Sequence, residues 1–139
     1  MPANTIPIFI KAGNFTPARI VGSTITNDGS VTTNIVTVVT AATDGTRVDG
    51  IRFRNSQTTS AASSAMTHKI WLVTGGNYRL IGEVVTATAT RTTTSIGATS
   101  IFTFDQPLIM VTGQTLRVGQ SVYASAADQF DAIAFAGDY

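Results

Sequence analysis

The most constraining feature of this chain is a series of short runs of β-branched residues, each followed by a turn sequence. The run Arg19–Ile25 precedes the turn sequence Asn27–Ser30, and the run Asn34–Thr40 precedes the turn sequence Thr43–Thr46. Val, Ile and Thr lose side-chain freedom in helices and suit a half-buried pleated sheet. Asn, Asp and Gly tolerate the positive φ of tight turns. No segment keeps a helical apolar period, so the pattern predicts strands throughout.

The same pattern continues through the rest of the chain. In Val48–Asn55, Ile51 and Phe53 fall on one strand face, with Arg52 and Arg54 on the other. Further runs predict strands over Lys69–Val73, Tyr78–Val85, Ile101–Phe104, Leu108–Val111, Thr115–Ser125 and Phe130–Ala136. Gly75-Gly76-Asn77 predicts a hairpin between the first two of these, and Pro107 is expected to break the pattern before Leu108.

About eight short strands with regular turns predict an all-β fold, because an antiparallel sheet must bury one face against another. The 139 residues suit a single domain. We therefore predict one antiparallel β-sandwich of jelly-roll type over residues 15–139. Residues 1–14 are predicted to form an N-terminal arm or edge segment, since Pro2 and Pro7 interrupt the apolar residues there.

Two polar stretches without an apolar period predict exposed loops. The first runs from Ser56 to Met66 and is rich in Ser, Thr and Ala. The second runs from Thr86 to Ser100 and holds Arg91 among threonines. Because binding residues concentrate in exposed loops, both are candidates for partner contacts.

The charge composition favours contacts with other proteins. Charged residues make up 12% of the chain, against about 25% in an average domain. The formal net charge is +1, and basic residues do not cluster beyond Arg52 and Arg54, so we expect no nucleic-acid partner. No apolar run approaches the ~20 residues that span a bilayer, and the N-terminus lacks the pattern of an export signal. We therefore expect no membrane partner.

Candidate catalytic residues are scarce. The chain has no cysteine, and His68 is its only histidine, which we expect to be exposed or half-buried rather than catalytic. Asp128 and Asp131 flank the start of the last predicted strand, where they could form a calcium site or the carboxylate pair of a glycosidase. Neither fits a known motif, so we predict no catalytic residue, no metal site and no cofactor. Trp71 is expected in the core, given its apolar neighbours.

Four segments, in order along the chain, resemble a family of small structural proteins of tailed bacteriophages, encoded near the major capsid gene. The opening Asn4–Phe9 is similar to the family's Asn-Pro-Ile-Phe start, with one insertion. Thr43–Asp49 resembles its Gly-Ser-Arg-Val-Asp segment, and Ile70–Val73 its central strand. The end, Ala136–Tyr139, resembles its Gly-Gly-Asp-aromatic terminus.

The resemblance implies a capsid decoration (cement) protein, often a homotrimer, which binds the major capsid protein on the outside of the assembled head. It implies a place on the virion exterior after assembly in the bacterial cytoplasm. On this hypothesis the N-terminal arm, two outward arginines and the two loops contact the partner. The candidate contact residues are Ile6, Pro7, Ile8, Phe9, Ile10, Arg52, Arg54, Gln57, Met66 and Arg91.

Two other functions stay open at the level of sequence. A tail-associated receptor- or glycan-binding module would also be a small β-sandwich, and hydroxyl-rich loops suit contact with sugars. A polysaccharide hydrolase would require Asp128, Asp131 or other acids to meet in a cleft. Fold class does not separate these functions, since β-sandwiches host all of them.

Overall fold

The computed structural model describes residues 10–24, 26–30, 32–57 and 60–139. Within these ranges the chain forms nine strands in two antiparallel sheets, with a short 3₁₀-helix at Ala126–Asp128 and no α-helix. The predicted all-β sandwich is confirmed, whereas its jelly-roll type stays a prediction. The strands are β1 (Ala12–Gly13), β2 (Ala18–Ile20), β3 (Val36–Thr40), β4 (Thr46–Asn55), β5 (Met66–Thr74), β6 (Asn77–Thr86), β7 (Thr99–Met110), β8 (Gln114–Gln120) and β9 (Phe130–Asp138).

Strand pairing is mostly between segments distant in sequence. The five-stranded sheet has the order β1-β9-β4-β7, with β2 also paired to β9, and the four-stranded sheet has the order β3-β8-β5-β6. The predicted hairpin between β5 and β6 is confirmed, with Gly75 and Gly76 at φ of 56° and 81° in its turn. The neighbouring strands β2 and β3 belong to different sheets, so the turn sequence between them connects two layers.

The core lies between the inward faces of the two sheets. Ile51 and Phe53 of β4 are fully buried, as the alternation predicted, and they pack in one cluster with Ile70 and Leu116 from the other sheet. Full burial of each such side chain contributes about 1.5–3 kcal/mol. This shared core holds the two sheets together and leaves alternate residues of each strand facing outward.

The predicted break at Pro107 does not occur, because β7 runs without interruption from Thr99 to Met110. β7 is the last strand of its sheet, where a missing N–H leaves no neighbour unpaired. The pairing with β4 also shifts there, from Leu108 opposite Val48 to Thr103 opposite Gly50. Pro107 is thus tolerated in an irregular stretch of an edge strand.

The predicted exposed loop from Ser56 to Met66 is wrong at its ends. Gln57 is 2% exposed and its amide donates a hydrogen bond to the Ala61 carbonyl oxygen. Met66 is 4% exposed and begins β5, where it packs in the core. Ser63 is also buried, with an N–H bonded to the Ala89 carbonyl oxygen. The described ends of this segment are therefore part of the packed fold and not of an exposed loop.

The chain around Asn27 covers the middle of the outer face of the four-stranded sheet, while Glu83 and Val85 of β6 stay exposed. Lys69 and Trp71 alternate with His68 and Ile70 of the core and so lie on that outer face, yet both are buried. Lys69 Nζ donates to Asn27 Oδ1 at 2.5 Å, and Trp71 Nε1 donates to the Asn27 carbonyl oxygen at 2.9 Å. The expected burial of Trp71 is confirmed, but it lies under this covering segment rather than between the sheets.

The described part of the N-terminal segment is attached to the domain. Lys11 N donates to the Asp138 carbonyl oxygen at 2.7 Å, and Asn14 N to the Ala136 carbonyl oxygen at 3.1 Å. Asn14 Nδ2 also donates to the Thr40 carbonyl oxygen at 2.8 Å, which joins this segment to the other sheet. Residues 10–14 therefore form part of the sheet edge, while residues 1–9 lie outside the described residues.

Candidate functional site: the open face of the five-stranded sheet

The outer face of the five-stranded sheet carries exposed side chains across its width, whereas the middle of the other sheet's outer face is covered by the chain around Asn27. Strand alternation places Arg52 and Arg54 of β4 on this face, opposite the buried Ile51 and Phe53. The register sets the neighbours of each arginine across the sheet. We call this surface the open face and define it by Arg52, Arg54, Ile101, Ile109, Asp131, Ile133 and Phe135.

Apolar side chains of β7 and β9 flank the arginines of β4 on the open face. Arg52 lies between Ile101 of β7 and Ile133 of β9 in the strand register. Ile101 and Ile109 are each 53% exposed and Phe135 is 42% exposed. Several exposed large apolar side chains on one sheet face mark a protein-contact surface more often than isolated ones do. The open face is therefore suited to bind another protein.

The arginines of this sheet differ in their pairing. Arg19 Nε donates to Asp131 Oδ1 at 2.8 Å, and Arg47 pairs with Asp49 at 2.8 Å. The hydrogen bond from Arg19 lowers the pKa of Asp131, and the same bond raises the pKa of Arg19. Neither Arg52 nor Arg54 has an ion-pair partner within the described ranges. These two cations are available to an external anion.

Arg91 joins Arg54 at the rim of the open face. Both side chains line two adjoining surface depressions of about 320 and 250 Å³. Arg91 Nη1 donates to the Asn55 carbonyl oxygen at 3.2 Å, which ties its loop to the end of β4. Thr92 Oγ1 accepts from the N–H groups of Thr94 at 3.2 Å and Ser95 at 2.9 Å, which orders the loop beside them.

His68, expected to be exposed or half-buried, is fully buried in the core. Its ring stacks on Phe53 with centroids 4.3 Å apart and meets the edge of Phe130 at 4.7 Å. Neither ring nitrogen has a hydrogen-bond partner in the part of the chain that the structure describes. Burial lowers the pKa of His68 to about 3. The prediction failed because alternation alone does not show which side of β5 faces inward.

Asp128 and Asp131 occupy different environments. The carboxylate of Asp128 is buried and accepts from Ser64 N at 2.6 Å, Ala124 N at 2.8 Å and Ser64 Oγ at 3.2 Å. Asp131 lies on the open face, paired with Arg19. Asp128 thus holds two loops together. Over the described ranges, no group of three or more His, Cys, Asp or Glu residues could hold a metal ion.

The structure divides the predicted contact residues into distinct groups. Arg52 and Arg54 are exposed on the open face, and Arg91 is half-buried beside Arg54. Gln57 and Met66 are buried and cannot contact a partner, so their assignment was wrong. Ile10 is 48% exposed at the sheet edge. The other arm residues, Ile6, Pro7, Ile8 and Phe9, lie outside the described residues.

Sequence reasoning missed the apolar members of the open face. The sequence shows that Ile101 and Phe102 point to opposite faces of their strand. It also shows that Ile133 and Phe135 share one face of the last strand, opposite the neighbouring alanines. Each of these strands carries large apolar residues on both of its faces. Side-chain alternation therefore did not show which of these residues are exposed. Ile133 and Phe135 face outward because the alanines at 132 and 134 fit the space over the core.

Comparisons of the chain with protein-family models, with curated proteins and with solved structures found no match. Among the described residues, no helix is long and apolar enough to cross a membrane.

Proposed function

We propose that this chain is a non-enzymatic bacteriophage capsid decoration protein that binds the outer surface of the assembled head and stabilises it. The observation that carries the proposal is the open face. One sheet exposes Ile101, Ile109 and Phe135 around two arginines, Arg52 and Arg54, that have no ion-pair partner among the described residues, whereas the middle of the other sheet is covered by the chain around Asn27. Arginine and large apolar side chains on one face are among the residues enriched in protein interfaces.

Two of the four segments that resemble phage proteins meet in space, at the C-terminal end of β9. Asp138 Oδ1 accepts from Thr46 Oγ1 and from Asn14 Nδ2, each at 2.5 Å. Tyr139 N donates to the Gly45 carbonyl oxygen at 3.2 Å. The Thr43–Asp49 turn and the Ala136–Tyr139 end thus form one structural unit at the sheet edge. These short motifs have a common role in attaching the N-terminal segment.

The proposed action requires no chemistry. A protein that binds the assembled shell and not its separate subunits stabilises the shell by mass action. A homotrimer, which the resemblance implies, would multiply modest contacts through effective concentration. The open face is the surface of each subunit that we assign to the major capsid protein.

A tail-associated glycan-binding module is the second candidate. The observation that favours it is the pair of depressions at Arg54 and Arg91, one of which is also lined by the hydroxyl-bearing residues 92–95. Hydroxyls and guanidinium groups are suitable partners for sugar hydroxyl and carboxylate groups. The depressions are open to solvent at the sheet rim.

Quantification of the protein on purified heads separates the two candidates. Virions are banded on a density gradient, their tails are removed, and the protein is measured against the major capsid protein. A decoration protein remains on tail-free heads in hundreds of copies, on the order expected when each capsomer junction is occupied. A few copies that leave with the tails would reject the decoration proposal in favour of the glycan-binding module.

A further inference from the structure

We propose that Arg54 and Arg91 together form a binding site for the carboxylate groups of an acidic protein segment. This inference rests on the proposed function, because it names the chemistry of the partner surface that docks on the open face. The site lies where the end of β4 meets the 91–96 loop, at the boundary between the open face and the rim.

The first argument is that two arginines face the same space. Arg54 and Arg91 both line each of the two adjoining depressions, although they are 37 positions apart (91 − 54) in sequence. Arg91 uses Nη1 on the Asn55 carbonyl oxygen, which orients its guanidinium while leaving its other N–H groups to bind. Guanidinium groups bind carboxylates through paired, charge-assisted hydrogen bonds, a geometry that lysine cannot offer.

The second argument is the local charge balance. The one acidic side chain that lines the depressions is Asp131, among the residues described there, and Arg19 engages both of its oxygens at 2.8 and 3.3 Å. Arg52, two residues before Arg54 on the same face, adds a third cation without an acidic partner in the described ranges. The net field at the site is therefore positive in a chain of net charge +1.

The third argument selects a protein rather than a sugar as the carrier of the carboxylates. Arg52 is the lateral neighbour of Ile101 and Ile133, so the cationic site continues directly into apolar residues of the open face. A polypeptide can place an acidic residue on Arg54 and Arg91 while its apolar side chains cover Ile101 and Ile133. A polar saccharide would leave these apolar groups uncovered.

The test uses the full chain and a synthetic Asp/Glu-rich peptide, with backbone amide shifts followed by NMR. We expect saturable shifts at Arg54, Arg91 and residues 92–95. The Arg54→Gln/Arg91→Gln double variant should weaken binding by about tenfold to a hundredfold, as expected for lost charge-assisted pairs. The Arg79→Gln variant is the matched control, because Arg79 is an exposed arginine on β6 of the other sheet.

Three outcomes would overturn the inference. These are no saturable shift, equal shifts in the double variant, or binding of an acidic oligosaccharide such as polygalacturonate without binding of the peptide. Thermal unfolding of the double variant verifies that it is folded.

Binding to heads stripped of this protein separates the inference from the proposed function. If the wild-type chain and the double variant bind heads equally, the function stands and the acidic-partner inference is wrong. If the peptide binds at Arg54 and Arg91 but the chain does not bind heads, the site stands and the decoration function is wrong.

Discussion

Ile10 lies directly over Gly137, where an added Cβ would stand 2.3 Å from Ile10 Cγ2 and 3.2 Å from the Ala12 carbonyl oxygen. The absence of a side chain at position 137 thus allows the N-terminal segment to pack against β9. Lys11 N and Asn14 N hold that segment in place through the Asp138 and Ala136 carbonyl oxygens.

Gly137→Ala is expected to lower the free energy of unfolding by about 1–3 kcal/mol, because the added methyl group overlaps Ile10. Hydrogen exchange at the Lys11 amide should accelerate, since its bond to Asp138 is displaced. The Ile10→Ala/Gly137→Ala double variant removes the overlapping atoms and should recover most of the loss. Equal stability of Gly137→Ala and the wild type, by urea unfolding, would contradict this packing.

The buried His68 should make the protein less stable in mild acid. Its folded pKa is about 3 against about 6.5 in the unfolded chain, so between these values only the unfolded chain binds the proton. Stability is full above about pH 6.5 and falls by about 1.4 kcal/mol for each pH unit below it. Urea unfolding at about pH 7 and about pH 5 should differ by about 2 kcal/mol.

His68→Leu is the matched variant for this pH effect. It removes both ring nitrogens, which have no partner among the residues described, and puts an apolar side chain of similar size in their place. The difference in stability between the two pH values should largely disappear, because the carboxyl groups titrate mainly at lower pH. An unchanged pH dependence in His68→Leu would show that another group is responsible.

Asp128 is expected to be a structural residue. Asp128→Asn should lower the free energy of unfolding by about 2–3 kcal/mol, because an amide cannot accept from Ser64 N and Ala124 N with both of its polar atoms. Asp131→Asn should cost under about 1 kcal/mol, since its ion pair with Arg19 is on the surface. Comparable losses in the two variants, by chemical denaturation, would refute the distinction.

The open face predicts which apolar substitution affects binding to heads. Ile101→Asp should reduce occupancy on stripped heads by about tenfold or more, because it removes an exposed apolar side chain from the contact and replaces it with a charge. Val85→Asp, at an exposed position on the other sheet, should bind as the wild type does. Both variants should unfold near the wild-type temperature, and loss of binding in Val85→Asp alone would assign the contact to the opposite face.

Much of the local structure could be predicted from residue patterns. The alternation around Ile51 and Phe53 correctly identified the inward face of β4, and Gly75-Gly76 correctly identified the hairpin. These features depend on neighbours in sequence, since side-chain alternation and positive φ are properties of a few consecutive residues. The contact residues were harder to predict, as the buried Gln57 and Met66 show.

The sequence by itself determined the class of fold, the position of most strands and the outward direction of Arg52 and Arg54. Only the tertiary structure decided that β4 lies between β7 and β9, and that the chain around Asn27 covers the middle of the other sheet. It also brought Arg91 beside Arg54. The physical reason is that strand pairing and burial are set by contacts between distant segments, whose energies no local pattern contains.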